Sequence, residues 1–321
     1  MTEGRARRAW IAALKLILGL ALVAGVILWV APDLDALLAR VRLDPLGLAV
    51  GLAMTAVTVV IVSARWKLMS EAMGGTRLPF VVYFRGLVLT KVVGQVTSLL
   101  AMDLVGRGLA LRSAGASSRL GLQFTQALLE RLFDVIIPAT MLGWAIAVRR
   151  ADAGPTAATL SFALVSVVVA ALGSLLLWPL TRAALRIYAR VRAWRGASGP
   201  EPETEGPPPI SRQVAAQVGV LGALRYASVI GTYGGITMAL GVDIDLLTTA
   251  LIMPVGQLAS IIGITPGALG FQEVGWVGAL RWVGGVDDLA IGVFVLGSRV
   301  LLTSFFAAIY VLAWPLTRRA P

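Results

Sequence analysis

Charged and amide side chains interrupt this sequence where an apolar chain tolerates them poorly. Glu130, Arg131 and Asp134 lie within one long apolar run. Glu130 and Asp134, four residues apart, share a helix face, with Arg131 turned about 100° away. Lys91 and Gln95 fall in an earlier run, Arg107 and Arg112 just after it. Gln257 and Glu273 lie in a third stretch, and Arg299 near the middle of the last. Guanidinium and ammonium groups suit phosphate or carboxylate ligands. A carboxylate at membrane depth is costly and usually functional, holding a headgroup or a coupling proton. Each group also has a plainer reading. Gln257 and Glu273 can satisfy broken backbone, and Glu130, Arg131 and Asp134 can form an interhelical ion-pair network. Arg299 can pair with Glu130, Asp134 or Glu273, and Lys91, Arg107 and Arg112 can snorkel to an interface.

What positions these residues is a membrane-embedded chain. Its 321 residues are 58% hydrophobic and 14% charged, with mean hydropathy +0.84, a composition that predicts an all-α, polytopic membrane protein. With no cysteine and no histidine, disulfides, thiol nucleophiles, histidine bases and Cys/His zinc sites are excluded. No cofactor or metal is expected. The net charge of +11 comes mostly from short loops between apolar runs, a pattern that orients membrane helices, so nucleic acid is not the expected partner.

The stretch Leu246 to Gly285 organises the rest. It begins apolar and is then broken by Pro254, Gly256, Gly263, Pro266, Gly267 and Gly270, with Gln257, Gln272 and Glu273 beside the breaks. Non-helical backbone at membrane depth needs protein or a water-filled cavity to satisfy it. The stretch therefore predicts a re-entrant hairpin with a polar apex. Phe80 to Leu100, interrupted by Arg85, Lys91, Gly94 and Gln95, predicts a second one. About six full spans surround them: Ile11–Ala31, Leu46–Ser63, Leu120–Val148, Ala157–Leu180, Val214–Leu240 and Leu289–Leu316. The first is read as a retained span with a cytoplasmic N-terminus, and Arg65 and Lys67 as the cytoplasmic end of the second. Arg182 to Arg195 reads as a basic membrane-surface helix or a topogenic loop. Gly234 and Gly235 are expected to allow close helix packing.

The polar, proline-rich segment 198–209 predicts a disordered linker. It separates a first membrane half, 1–197, from a second, 210–321. VGQVTSLL at Val93–Leu100 matches VGQLASII at Val255–Ile262, and LLERLFD at Leu128–Asp134 has an echo in LGSRVLL at Leu296–Leu302. Each half runs span, broken hairpin, span. The basic loops put both termini, 65–79 and 181–212 in the cytoplasm and Gly241–Asp245 outside. The hairpins then enter from opposite sides, as in inverted-repeat transporters. Arg149 and Arg150 fall outside, against the rule.

ARWKLM at Ala64–Met69, the VGQVTSLL hairpin, LLERLFD and TPGALGFQE at Thr265–Glu273 resemble the lysylphosphatidylglycerol synthase transmembrane-region family, also described as flippase-like integral membrane proteins. The resemblance runs from about Arg65 to the C-terminus. The family's first hairpin reads Pro-Gly-x-x-Gly-Glu, whereas this chain has Met102-Asp103-Leu104-Val105-Gly106-Arg107, without the proline and the glutamate. The resemblance implies lipid or lipid-linked substrates and, in members fused to it, a soluble aminoacyl-transferase domain, for which no room is expected after Pro321.

The expectation is a flippase-like transporter in the cell membrane that moves an anionic phospholipid or a polyprenyl-phosphate type lipid between leaflets. No catalytic spacing is present, so an enzyme is not expected. Lys91, Gln95, Arg107, Arg112, Glu130, Arg131, Asp134, Gln257, Pro266, Gly267, Gly270, Glu273 and Arg299 are the candidate site residues. The competing reading is a membrane partner of a separate glycosyl- or aminoacyl-transferase. A second copy of the chain is the other protein partner considered.

Overall fold

The computed structural model describes residues 14, 17–25, 28–29, 34–115, 120–194, 210–262 and 265–318. Among them there are helices and no strands. Among the described residues five helices are long and apolar enough to cross a membrane, and Leu246–Ile261 is a shorter apolar one. The protein is therefore a multi-pass, all-α membrane protein. Of the expected first span, the described residues are helical. The linker 198–209 lies outside the described residues.

A short helix α1 (Leu34–Arg40) leads to α2 (Pro45–Ala72), which Asp44 caps by accepting the Gly47 N–H at 2.7 Å. A cap of this kind satisfies one of the unpaired N–H groups of the first turn. Helix α2 is longer than its apolar run. It continues through Arg65 to Ala72, so Arg65, expected at a cytoplasmic end, is only 1% exposed.

Helix α3 (Phe80–Val96) ends where Thr97 and Ser98 leave helical geometry. The Ser98 hydroxyl accepts the Ala101 N–H and starts a returning arm. That arm comprises α4 (Leu99–Ala101), a π-helical turn (Met102–Gly106) and α5 (Arg107–Ser113). The two arms are antiparallel and close. A Cβ on Gly86 would lie 3.1 Å from the Ala110 Cβ, and one on Gly106 3.2 Å from the Thr90 methyl. Helices α6 (Leu120–Arg150) and α7 (Pro155–Trp194) follow. The basic stretch after Leu180 continues α7 to Trp194 rather than forming a helix of its own.

The second half repeats this order without a counterpart of α7. It has α8 (Arg212–Ala239), then α9 (Leu246–Ile262), a 3-10 turn (Pro266–Ala268), α10 (Phe271–Val283) and α11 (Asp288–Arg318). Helices α9 and α10 pack antiparallel. Gly256 lies under Trp276, 2.5 Å from where its Cβ would be, and Gly275 faces Ala259. Trp276 in turn stacks edge-on against Phe294 of α11 at 5.4 Å and lies 5.0 Å from Tyr233 of α8. This aromatic group fixes α9–α10 between α8 and α11.

Helices α2 and α8 run antiparallel along their length. Gly47 meets the Ala239 backbone, Gly51 meets Gly235, and the Thr58 and Ser228 hydroxyls are 2.8 Å apart. Cβ atoms at 47 or 235 would collide with backbone of the partner helix, and one at 51 would meet the Phe305 ring at 2.8 Å, so these glycines permit the approach, as small residues do between membrane helices. The two breaks also touch: a Cβ on Gly267 would lie 2.6 Å from the Gln95 carbonyl oxygen.

Candidate functional site

A cavity opens between the two broken hairpins and α2, α6, α8 and α11. Its polar lining includes Lys91, Gln95, Arg107, Arg131, Asp134, Arg225, Gln257 and Arg299, and its walls include Val59, Leu87, Leu302 and Phe306. The space is about 140 Å³, against the roughly 10–15 Å³ that one water requires. It accommodates several waters or a compact headgroup, not an entire lipid.

The first hairpin brings charge to the cavity through Asp103. This carboxylate is 4% exposed and lies in the π-helical turn. It accepts from Lys91 Nζ at 3.1 Å, from Arg107 Nη2 at 3.0 Å, and from Arg131. π-helical turns recur at functional sites because the widened turn displaces side chains. Helix α6 supplies two more buried carboxylates on one face. Glu130 accepts from Arg107 Nη1 at 2.8 Å, from Arg65 Nη2 at 3.5 Å and from Gln126 at 3.1 Å. Asp134 accepts from Arg65 at 3.1 Å and from Arg225 at 2.9 Å. The network joins α2, the first hairpin, α6 and α8. Paired and hydrogen-bonded charge is the condition under which such groups can be buried.

The second hairpin forms a smaller site of the same kind. Thr265 is extended, and Gly267 turns the chain with φ 57°, a conformation costly for most L residues. Helix α10 begins after Gly270, whose N–H donates to Glu273 Oε2 at 2.8 Å. The other Glu273 oxygen accepts from Arg299 Nε and Nη2 at 2.9 and 2.7 Å. Arg299 Nη1 donates to the Gly267 carbonyl at 2.6 Å and reaches Gln95 Oε1 at 3.5 Å. Arg299, on α11, thus ties the second hairpin to the tip of the first.

The structure gathers most of the sequence candidates here. Lys91, Gln95, Arg107, Arg131, Asp134, Gln257 and Arg299 line the cavity, with Glu130 and Glu273 directly behind. Pro266, Gly267 and Gly270 shape the tip rather than presenting side chains. Arg112 is exposed on α5 and outside the cavity lining. Three members were not singled out by sequence. Asp103 counted only as one of several charges, with Arg107 and Arg112, that face a bundle interior or water, Arg65 marked the cytoplasmic end of the second span, and Arg225 fell inside the span Val214–Leu240. A signal was present: Asp103 and Arg107 are four residues apart, one helix face, like Glu130 and Asp134. The paired arginines follow the sequence echo, since Arg131 and Arg299 occupy matching places in LLERLFD and LGSRVLL. Each binds the carboxylate of the hairpin before it.

Comparison with curated proteins finds no match. The family model for the lysylphosphatidylglycerol synthase TM region matches residues 16–309, which include both hairpins and the cavity between them, and the chain belongs to that family.

Proposed function

We propose that the protein moves an anionic lipid headgroup, of a phospholipid or a lipid-linked phosphate, between membrane leaflets. The observation that carries this is the buried cavity between the hairpins, where Lys91, Arg107, Arg131, Arg225 and Arg299 converge. Phosphate recognition favours such convergent guanidinium groups. The family name adds a lipid context.

Inverted repeats with re-entrant hairpins fit the same geometry. The lead helices of the two halves, α2 and α8, are antiparallel. Hairpin one follows α2 after a short loop, and hairpin two follows α8 after another. The hairpin bases therefore belong at opposite ends of the α2–α8 pair, and the tips meet in between. This supports the alternating-access arrangement known from transporters with broken helices at mid-membrane. The cell membrane, with cytoplasmic termini, remains the location this reading assigns.

The test is leaflet-resolved lipid movement in liposomes containing the purified protein. Accelerated exchange of an acyl-chain-labelled anionic phospholipid is expected, with loss of that acceleration in Arg131→Gln and Arg299→Gln. Wild-type protein that leaves the exchange rate at the protein-free level would refute transport and favour the role of a transferase partner.

A further inference from the structure

Among the described residues, the charges around the cavity do not cancel. Arg65, Lys91, Arg107, Arg131, Arg225 and Arg299 face four carboxylates, Asp103, Glu130, Asp134 and Glu273. All four carboxylates are buried and each already serves at least one cation. Among the described residues, Asp134 is the only acidic group in the cavity lining itself. Two positive charges are left over.

Spare hydrogen-bonding capacity lies on the same residues. Among the described residues, the Nε of Arg107 and the Nε of Arg131 are buried without a hydrogen-bond partner, as are Nε and Nη1 of Arg65, which lies behind the lining. Arg107 is 5% exposed and lines the cavity. Burying an ion costs several kcal/mol even after relaxation, and only a compensating charge in good geometry offsets it.

We infer that this site selects a dianionic phosphomonoester headgroup over a phosphodiester. The inference rests on the lipid-transport reading of the same cavity. A phosphomonoester carries about −1.5 to −2 charge at pH 7 and three acceptor oxygens. It matches the leftover charge, and its further acceptor oxygen suits the guanidinium groups of Arg107, Arg131, Arg225 and Arg299 that line the cavity. A phosphodiester brings one charge and leaves one cation uncompensated. The ligand class is therefore a lipid with a terminal phosphate, either a diacyl or an isoprenoid type.

The experiment measures binding to the purified, full-length protein at neutral pH. Vesicles of phosphatidylcholine would carry either phosphatidic acid, the monoester, or phosphatidylglycerol, the diester. One further charge-assisted contact predicts that phosphatidic acid binds about tenfold tighter or more. Lys91→Gln removes one positive charge while Asp103 keeps Arg107 and Arg131, so this advantage should shrink severalfold. Arg225→Gln does the same from α8, with Arg65 left on Asp134, and serves if Lys91→Gln does not fold. Equal affinity for the two lipids, or a preference unchanged in a folded variant, overturns the assignment. Inorganic phosphate, added without a lipid phosphate, is expected to stabilise the protein less than phosphatidic acid. Equal stabilisation would make soluble phosphate the ligand and overturn the lipid part. Selective binding without leaflet movement would sink the transport reading alone, and movement without selectivity would sink the headgroup assignment alone.

Discussion

At the scale of single residues, Glu273 is fully engaged. One oxygen caps α10 through the Gly270 N–H, and the other holds Arg299 by two bonds. This makes it a positioning group for Arg299. Removing one partner of a buried pair costs about 3–5 kcal/mol. Glu273→Gln keeps the shape and a cap acceptor, so it should fall toward the low end of that range. A lowered melting temperature in detergent is the readout. In a double-mutant cycle with Arg299→Gln, a coupling of about 0.5–3 kcal/mol is expected for residues in direct contact. Additive losses would show that the pair does not act as a unit. Asp103→Asn is expected to be more damaging, because Lys91, Arg107 and Arg131 all lose their common carboxylate. Arg112→Gln is the contrast. An exposed substitution away from such contacts changes stability by about ±0.5 kcal/mol, and lipid movement by Arg112→Gln protein should equal wild type.

At the scale of elements, close contact between α2 and α8 dictates where small residues stand. A Cβ at Gly235 would lie 2.4 Å from the Gly51 nitrogen and 2.6 Å from its Cα. Backbone cannot step aside as a side chain can. Gly235→Ala should therefore push the helices apart, at about the 1–3 kcal/mol typical of overpacking. Gly278 on α10 has nothing within 4 Å of its would-be Cβ. Gly278→Ala should raise stability slightly, since glycine inside a helix costs roughly 0.8–1 kcal/mol relative to alanine. Thermal unfolding of the two variants side by side tests this, and similar losses in both would contradict it. The expected close packing at Gly234 and Gly235 was readable from residue size. That Gly51 is the partner was not, because the contact joins positions 184 residues apart.

At the scale of the whole molecule, the proposed inverted arrangement places the 72–80 and 239–246 loops on opposite faces. With no cysteine in the chain, single cysteines report the side directly. Arg77 and Asp243 are both exposed in those loops. Arg77→Cys should react with an impermeant thiol reagent only from the cytoplasmic side, and Asp243→Cys only from outside. Reaction of both from one side would rule out inversion. The linker 198–209 carries a separate expectation from its proline-rich, polar composition: a short deletion there should leave expression and lipid movement unchanged.

Composition and apolar run length were enough to establish an all-α, polytopic membrane protein, because a bilayer demands about 20 apolar residues for each helical span. The glycine and proline breaks after Ile262 marked a helix interruption for local reasons: φ near +57° at Gly267 and a proline at the first turn are readable residue by residue. Charged residues in apolar runs announced a buried polar site, since lipid does not tolerate them. Which charges meet was decided only by tertiary structure. Arg65 lies on α2, Arg107 and Asp103 on the first hairpin, Glu130 and Asp134 on α6, and Arg225 on α8. Each is written into its own helix face, but ion pairing across four elements depends on how those faces are packed. Sequence alone left Arg65 looking like the end of a span, because the apolar run stops before it. Helix α2 continues because Glu130 and Asp134 wait across the interface to neutralise that arginine.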